Sequence, residues 1–151
     1  MRSLILGLAL AAGFAGGAAA ADFVVVSSTD PAIARGREVA SGESLQIAQG
    51  RSVVLVDTAG QVTRLAGGAS PVRAPRTQLA SVNESRVQVL KLLVAPARVR
   101  RAAPSMGKVC PDADLTRFDG IVSVAQVDGC LTTARAAFDA YVLKAVGPEA
   151  P

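Results

Sequence analysis

Hydrophobic positions along this chain change period twice, and each change marks a different kind of element. Near the start, Leu4 to Phe14 is a short apolar run behind Arg2, followed by small residues at Ala18 to Ala21. That order is the charged, apolar and small-residue plan of a secretory signal peptide, with cleavage expected after Ala20 or Ala21. The run is shorter than the ~20 residues a spanning helix needs, which favours cleavage over an uncleaved signal anchor. No cysteine follows it closely, so the sequence predicts no bacterial lipid attachment.

Past residue 21 the pattern becomes β-like. Phe23-Val-Val-Val-Ser-Ser28 is short and β-branched, and Leu45 and Ile47 alternate with polar or small neighbours. Ser52 to Asp57 is nearly continuous apolar sequence, Thr58-Ala59-Gly60 is a turn, and Gln61 to Leu65 alternates again. Gly36, Gly42, Gly50 and Gly60 recur at intervals suited to short strands that turn back repeatedly. Gly67 and Gly68 end the pattern, and residues 67–76 are a Gly/Pro-rich connector.

The period then shifts towards that of a helix. Ser81-Val-Asn-Glu84 fits a capping box. Leu79, Val82, Leu90, Leu93 and Val94 fall on one helical face, although Val87 and Val89 leave a strand open; Pro96 ends either element. A second breaker stretch covers residues 104–107. Ile121 to Val127 reads as a strand, Asp128-Gly129 as a turn, and Leu131 to Ala145 as an amphipathic helix stopped by Gly147-Pro148. No repeat of solenoid length is present.

The expected fold class is therefore α+β: a small β-rich N-terminal module, a helix, and a disulfide-tied strand-helix unit. The expected divisions are a signal peptide over 1–21, a β module over 22–68, a basic connector with one helix over 69–108, and the last unit over 109–151. About 130 mature residues are enough for one modest core. With no Trp and 3% aromatic residues, that core is aliphatic, and a covalent staple is a natural supplement. Cys110 and Cys130 are the only cysteines; in an oxidising compartment such a pair forms a disulfide. Their spacing is not C-x-x-C, and the chain has no histidine to complete a zinc site.

Charge divides the chain in the same places. Residues 22–63 hold three basic and five acidic side chains, residues 64–108 nine basic and only Glu84, and residues 109–151 three basic and six acidic. The mild overall excess of +4 thus hides a strongly basic middle. Arg73, Arg76, Arg98, Arg100 and Arg101 are its candidate contacts for an anionic partner, because a guanidinium fork matches phosphate and carboxylate. The bland alternative is a solvated helix face and connector. Nucleic acid is not expected, since the stretch offers no aromatic rings for base stacking.

Residues 36–65 carry a resemblance. Gly36-Arg-Glu-Val39, Ser41-Gly-Glu-Ser-Leu45, Ile47, Gly50-Arg-Ser-Val53, Leu55, Asp57, Gly60-Gln61 and Leu65 together resemble a FecR-like periplasmic domain, with the turn lengthened by Thr58-Ala59. The resemblance implies a small β-rich domain outside the inner membrane, associated with envelope signalling and protein contacts rather than catalysis. No functional residue is carried over from it.

Catalytic chemistry finds little footing. Without histidine there is no Ser-His-Asp or Cys-His arrangement. Ser105-Met-Gly-Lys108 matches S-x-x-K, but no K-T-G accompanies it. Asp112, Asp114 and Asp119 offer oxygen ligands for calcium without EF-hand spacing, and a polar turn is the simpler reading. Asn83-Glu-Ser85 is a glycosylation sequon, relevant only in a eukaryotic secretory path. The sequence thus predicts a periplasmic, non-enzymatic protein without a cofactor. It is expected to act as an interaction or envelope-signalling module with an envelope protein as partner. The alternative is a structural envelope protein held electrostatically on anionic polymer or lipid.

Overall fold

The computed structural model describes residues 21–76, 84–96 and 109–147. Six strands come first: β1 (Ala21–Ser28), β2 (Glu38–Ala40), β3 (Ser44–Leu45), β4 (Ser52–Asp57), β5 (Val62–Ala66) and β6 (Val72–Arg73). Three helices follow: α1 (Glu84–Val94), α2 (Phe118–Ala125) and α3 (Leu131–Val146). The α+β class is as the hydrophobic pattern implies. The antiparallel sheet has the order β2-β1-β4-β5, and β3 pairs with β6 in a second, two-stranded ladder.

β1 and β4 are central strands covered on both faces, which explains why their sequences are almost wholly apolar rather than alternating with polar residues. Phe23, Val25, Val53 and Leu55 point to one side and join Ile33, Val39, Leu45, Ile47, Leu65 and Ala74. Val24, Val26, Val54 and Val56 point to the other and meet the three helices. Period-2 geometry sorts one apolar run into two cores. A bulge interrupts the ladder: Val25 faces Leu55, but Ser27 faces Val54, so Val26 is the extra residue.

The β4–β5 turn ties sheet to helices. Asp57 is buried, and its Oδ1 accepts the N–H groups of Ala59 (2.9 Å) and Gln61 (2.8 Å). Gly60 closes the turn at φ +87°, and a Cβ there would lie 2.3 Å from Cγ of Phe118. Each helix grips this turn. Arg86 on α1 donates to the Thr58 carbonyl at 3.1 Å and pairs with Asp119 on α2 at 2.8 Å. Tyr141 on α3 donates its hydroxyl to the Gly60 carbonyl at 2.8 Å. The Phe118 ring stacks obliquely with Phe138 and Tyr141, at centroid distances of 6.5 and 6.1 Å.

Two sequence expectations are corrected. The strand expected over Ile121 to Val127 is instead α2 and the turn after it. Its β-branched residues disfavour a helix by only tenths of a kcal/mol each, at most about 0.7. Helical spacing, by contrast, buries Phe118, Ile121, Val122 and Val124 in the core shared with β1 and β4. Burial of even one such side chain is worth about 1.5–3 kcal/mol, so packing wins. The last unit is therefore a disulfide-tied pair of helices. Secondly, the connector over 67–76 contains β6, which pairs with β3 through Ser44–Arg73 and Leu45–Val72. β2 lies in a stretch with no strand signal beyond Val39, and it forms because Val39 is fully buried against Phe23. The capping-box residues before Glu84 lie outside the described residues.

Asp30 organises the long loop after β1. It is buried, and its carboxylate accepts the backbone N–H groups of Ala32 (2.9 Å) and Ala48 (2.8 Å). These bonds, the Ala48 one first, hold its pKa below the ordinary 3.8.

Gly60→Ala combines a left-handed backbone with a clash against Phe118 and should destabilise by about 3–5 kcal/mol in urea titration. Gly50→Ala has a similar φ of +74° but open space, and should cost only about 1 kcal/mol. A lowered Asp30 pKa means that its stabilisation is present above pH 3.8 and is lost as pH falls through the folded value. Asp30→Asn should therefore flatten the acid limb of a stability-against-pH curve.

Candidate functional site

The two cysteines form the expected bond, with Cα atoms 5.6 Å apart across 20 residues of sequence. Cys130 is fully buried at the start of α3, while Cys110 is partly exposed and its Sγ lies 3.7 Å from the Thr133 hydroxyl. The bond pins the segment before α2 to the head of α3. Its role here is structural, and a disulfide belongs with a compartment outside the reducing cytoplasm. No helix among the described residues is long and apolar enough to cross a membrane.

The basic middle divides between scaffold and surface. Arg86 and Lys91 serve the fold, the first through Thr58 and Asp119, the second through an ion pair with Glu38. Arg73 and Arg76 are exposed. Arg73 sits opposite Ser44 on the β3–β6 ladder. The Arg76 side chain passes over Gly42, 3.7 Å from where a Cβ would stand. Both belong to the β6 side of the small ladder, where the Gly42 N–H donates to the Pro75 carbonyl at 3.2 Å. Arg98, Arg100, Arg101, Ser105, Lys108 and Asn83 lie outside the described residues.

The aspartates of the cysteine loop act as turn and pair partners. Asp114 accepts the Thr116 hydroxyl and the Thr116 N–H, and these two bonds hold its pKa below the ordinary range. Asp119 belongs to Arg86. No group of three or more metal-ligating side chains is present among the described residues. Burial pushes the Tyr141 hydroxyl up, helped by the negative charges of Asp57 and Asp119. It stays a neutral donor to Gly60 at physiological pH.

A cleft opens where the last turns of α3 leave the sheet. Val26 and Val54 form its floor, Val142 and Val146 one wall, and Ser27 and Leu143 its lip. The Arg35–Asp139 ion pair, 3.1 Å long and largely exposed, stands at its mouth. The volume is about 140 Å³, close to the ~150 Å³ cavity that holds a single benzene ring. Ligand pockets run to about 300–1,000 Å³, so this cleft has the size of a single apolar side chain. The sequence pattern places Val26 and Val54 in strands and Asp139 on the last helix, and gives Arg35 and Asp139 no pairing. The bulge at Val26 carries no sequence signal, and the ion pair joins residues 104 apart in sequence.

Comparison of the chain with known protein families, curated proteins and solved structures finds no match.

Reduction of Cys110–Cys130 should lower stability by about 3 kcal/mol, the loop-closure value for a loop of this size. Urea titrations with and without reductant, and of a Cys110→Ser/Cys130→Ser variant, measure it. The variant without reductant should match the reduced protein.

Proposed function

We propose that this chain is an exported, non-enzymatic protein-interaction module of the bacterial periplasm, processed by removal of its leader after Ala20 or Ala21. In this reading the β-rich part acts as a FecR-like envelope-signalling module and the partner is an envelope protein. The observation that carries it is the cleft under α3. An apolar slot for one side chain, rimmed by charge, has the form of an anchor site at a protein interface, where one buried residue supplies most of the affinity and polar groups at the edge set its orientation. The polar side chains that converge elsewhere serve the scaffold: Asp57 holds a turn, Asp30 a loop, and Arg86 joins two helices and the sheet. The disulfide fits an extracytoplasmic setting.

A second reading is favoured by Arg73 and Arg76, both exposed and three residues apart at β6. It is an electrostatic hold on anionic envelope polymer or lipid. The two readings differ in salt dependence, because exposed charges are screened within ~8 Å at physiological ionic strength while packed apolar contacts persist.

The test is co-purification of the exported protein from envelope extracts, washed first at low and then at high salt. A defined protein that survives high salt, and is lost from a Val146→Asp variant of unchanged thermal stability, is the expected result. Material that leaves at high salt as polymer or lipid, and is lost from Arg73→Glu/Arg76→Glu instead, would replace this reading with the electrostatic one.

A further inference from the structure

The cleft beside α3 owes its lining to the bulge in β1. In a regular strand, neighbouring side chains alternate between faces. Val26 and Ser27 are neighbours, yet both line this cleft. Val26 is the extra residue of the bulge, since Val25 faces Leu55 and Ser27 faces Val54. A bulge re-aims side chains in this way. Val26 thus joins Val54 in the floor, while Ser27 brings a hydroxyl to the lip. Val142, Leu143 and Val146 complete the apolar lining, which contains no aromatic ring. A slot walled by valines and a leucine fits a branched aliphatic side chain.

The charges around the cleft are unequal. Arg35 spends its Nη2 on Asp139 Oδ1 at 3.1 Å. A guanidinium carries five N–H donors in a planar fork, so its Nε and Nη1 remain for a second acceptor, and about half of the side chain faces solvent. Lys144 stands on the other side of Leu143, in a shallow open depression with Ala140 and Gly147. Leu143 lines both recesses. Lys144 is exposed and makes no ion pair among the described residues. Against these two cations stand one acid, Asp139, which is already paired, and the carbonyl end of α3, worth about half a negative charge. The rim keeps a positive excess.

We propose that the cleft holds an acidic peptide segment of a partner protein by one branched aliphatic side chain, an inference that rests on the reading of the cleft as an anchor site. The aliphatic group fills the slot over Val26 and Val54. A carboxylate on one side of this anchor takes the open side of the Arg35 fork as a charge-assisted hydrogen bond. Asp139 keeps its own pair and is not displaced. A carboxylate on the other side of the anchor meets Lys144 across Leu143. The division of labour follows from exposure. The enclosed apolar slot supplies affinity. The solvated rim charges select the sign of the partner's charge, and each exposed pair adds little on its own.

Titration of the isotopically labelled exported protein with end-capped peptides, followed by backbone amide shifts, tests the proposal. The probes are GESLSEG, its neutral and basic counterparts GQSLSQG and GKSLSKG, and GESSSEG, which lacks the anchor. GESLSEG should shift Ser27, Val54, Leu143 and Val146 and bind about fivefold tighter than GQSLSQG, with GKSLSKG weaker still. GESSSEG should not bind. High salt should erase the differences between charges and leave the dependence on the leucine. Lys144→Glu should cancel the acidic preference while the leucine peptides still bind, and Val146→Asp should abolish binding of all. Thermal melts matching the wild type show that each variant is folded. Leucine-dependent binding that ignores peptide charge, or favours GKSLSKG, overturns this inference and leaves the anchor reading standing. GESSSEG binding as well as GESLSEG, with shifts at Arg73 in place of the cleft, overturns both in favour of the electrostatic reading. Failure of every peptide to bind also overturns the proposal, and co-purification then decides the anchor reading alone.

Discussion

The β4–β5 turn is the constraint on which the remaining structure rests. Strands make its geometry, through Asp57 and the left-handed Gly60, but helices complete it. Arg86, Phe118 and Tyr141 come from α1, α2 and α3, and all three reach the same five-residue turn. Backbone carbonyls at a tight turn point outward and need donors when buried. Here Thr58 and Gly60 receive them from side chains far along the chain. The helical layer is thus docked by hydrogen bonds with fixed geometry as well as by apolar packing, which alone has no direction.

That arrangement suits a core with few large side chains. Valines dominate β1 and β4, and the rings that exist are concentrated where the helices meet the turn: Phe118 touches Phe138 and Tyr141. Phe23 anchors the opposite face. The Cys110–Cys130 bond adds a covalent constraint between the segment leading to α2 and the head of α3. A small aliphatic core plus a covalent tie is a common solution for exported domains of this size.

The placement of charge bears on function. The basic middle, strongly positive as a stretch of sequence, is partly consumed by the fold: Arg86 and Lys91 meet acids brought from other segments, Asp119 and Glu38. Arg73 and Arg76 alone of the five candidate arginines lie in described segments, and both face solvent. The outer face of α3 and the cleft on its flank are different in kind. They are apolar with charges at the margin.

The existence of most strands, the helix over 131–146 and the disulfide were legible in the sequence, because each depends on local pattern or on simple count. Valine runs bounded by glycine turn back as strands whatever lies beside them, and two cysteines have one pairing. What local pattern does not hold is the identity of the neighbour. Ile121 to Val127 reads as a strand by propensity, yet Phe118, Ile121, Val122 and Val124 gain more by covering the sheet as a helix. β2 and β6 are too short to announce themselves and exist because Val39 and Arg73 find pairing partners. Gly60 looks like any turn glycine until Phe118 arrives against it. The cleft, the Arg35–Asp139 pair and the bare face of α3 were set by tertiary structure alone, since each is defined by which surfaces the packed layers leave uncovered.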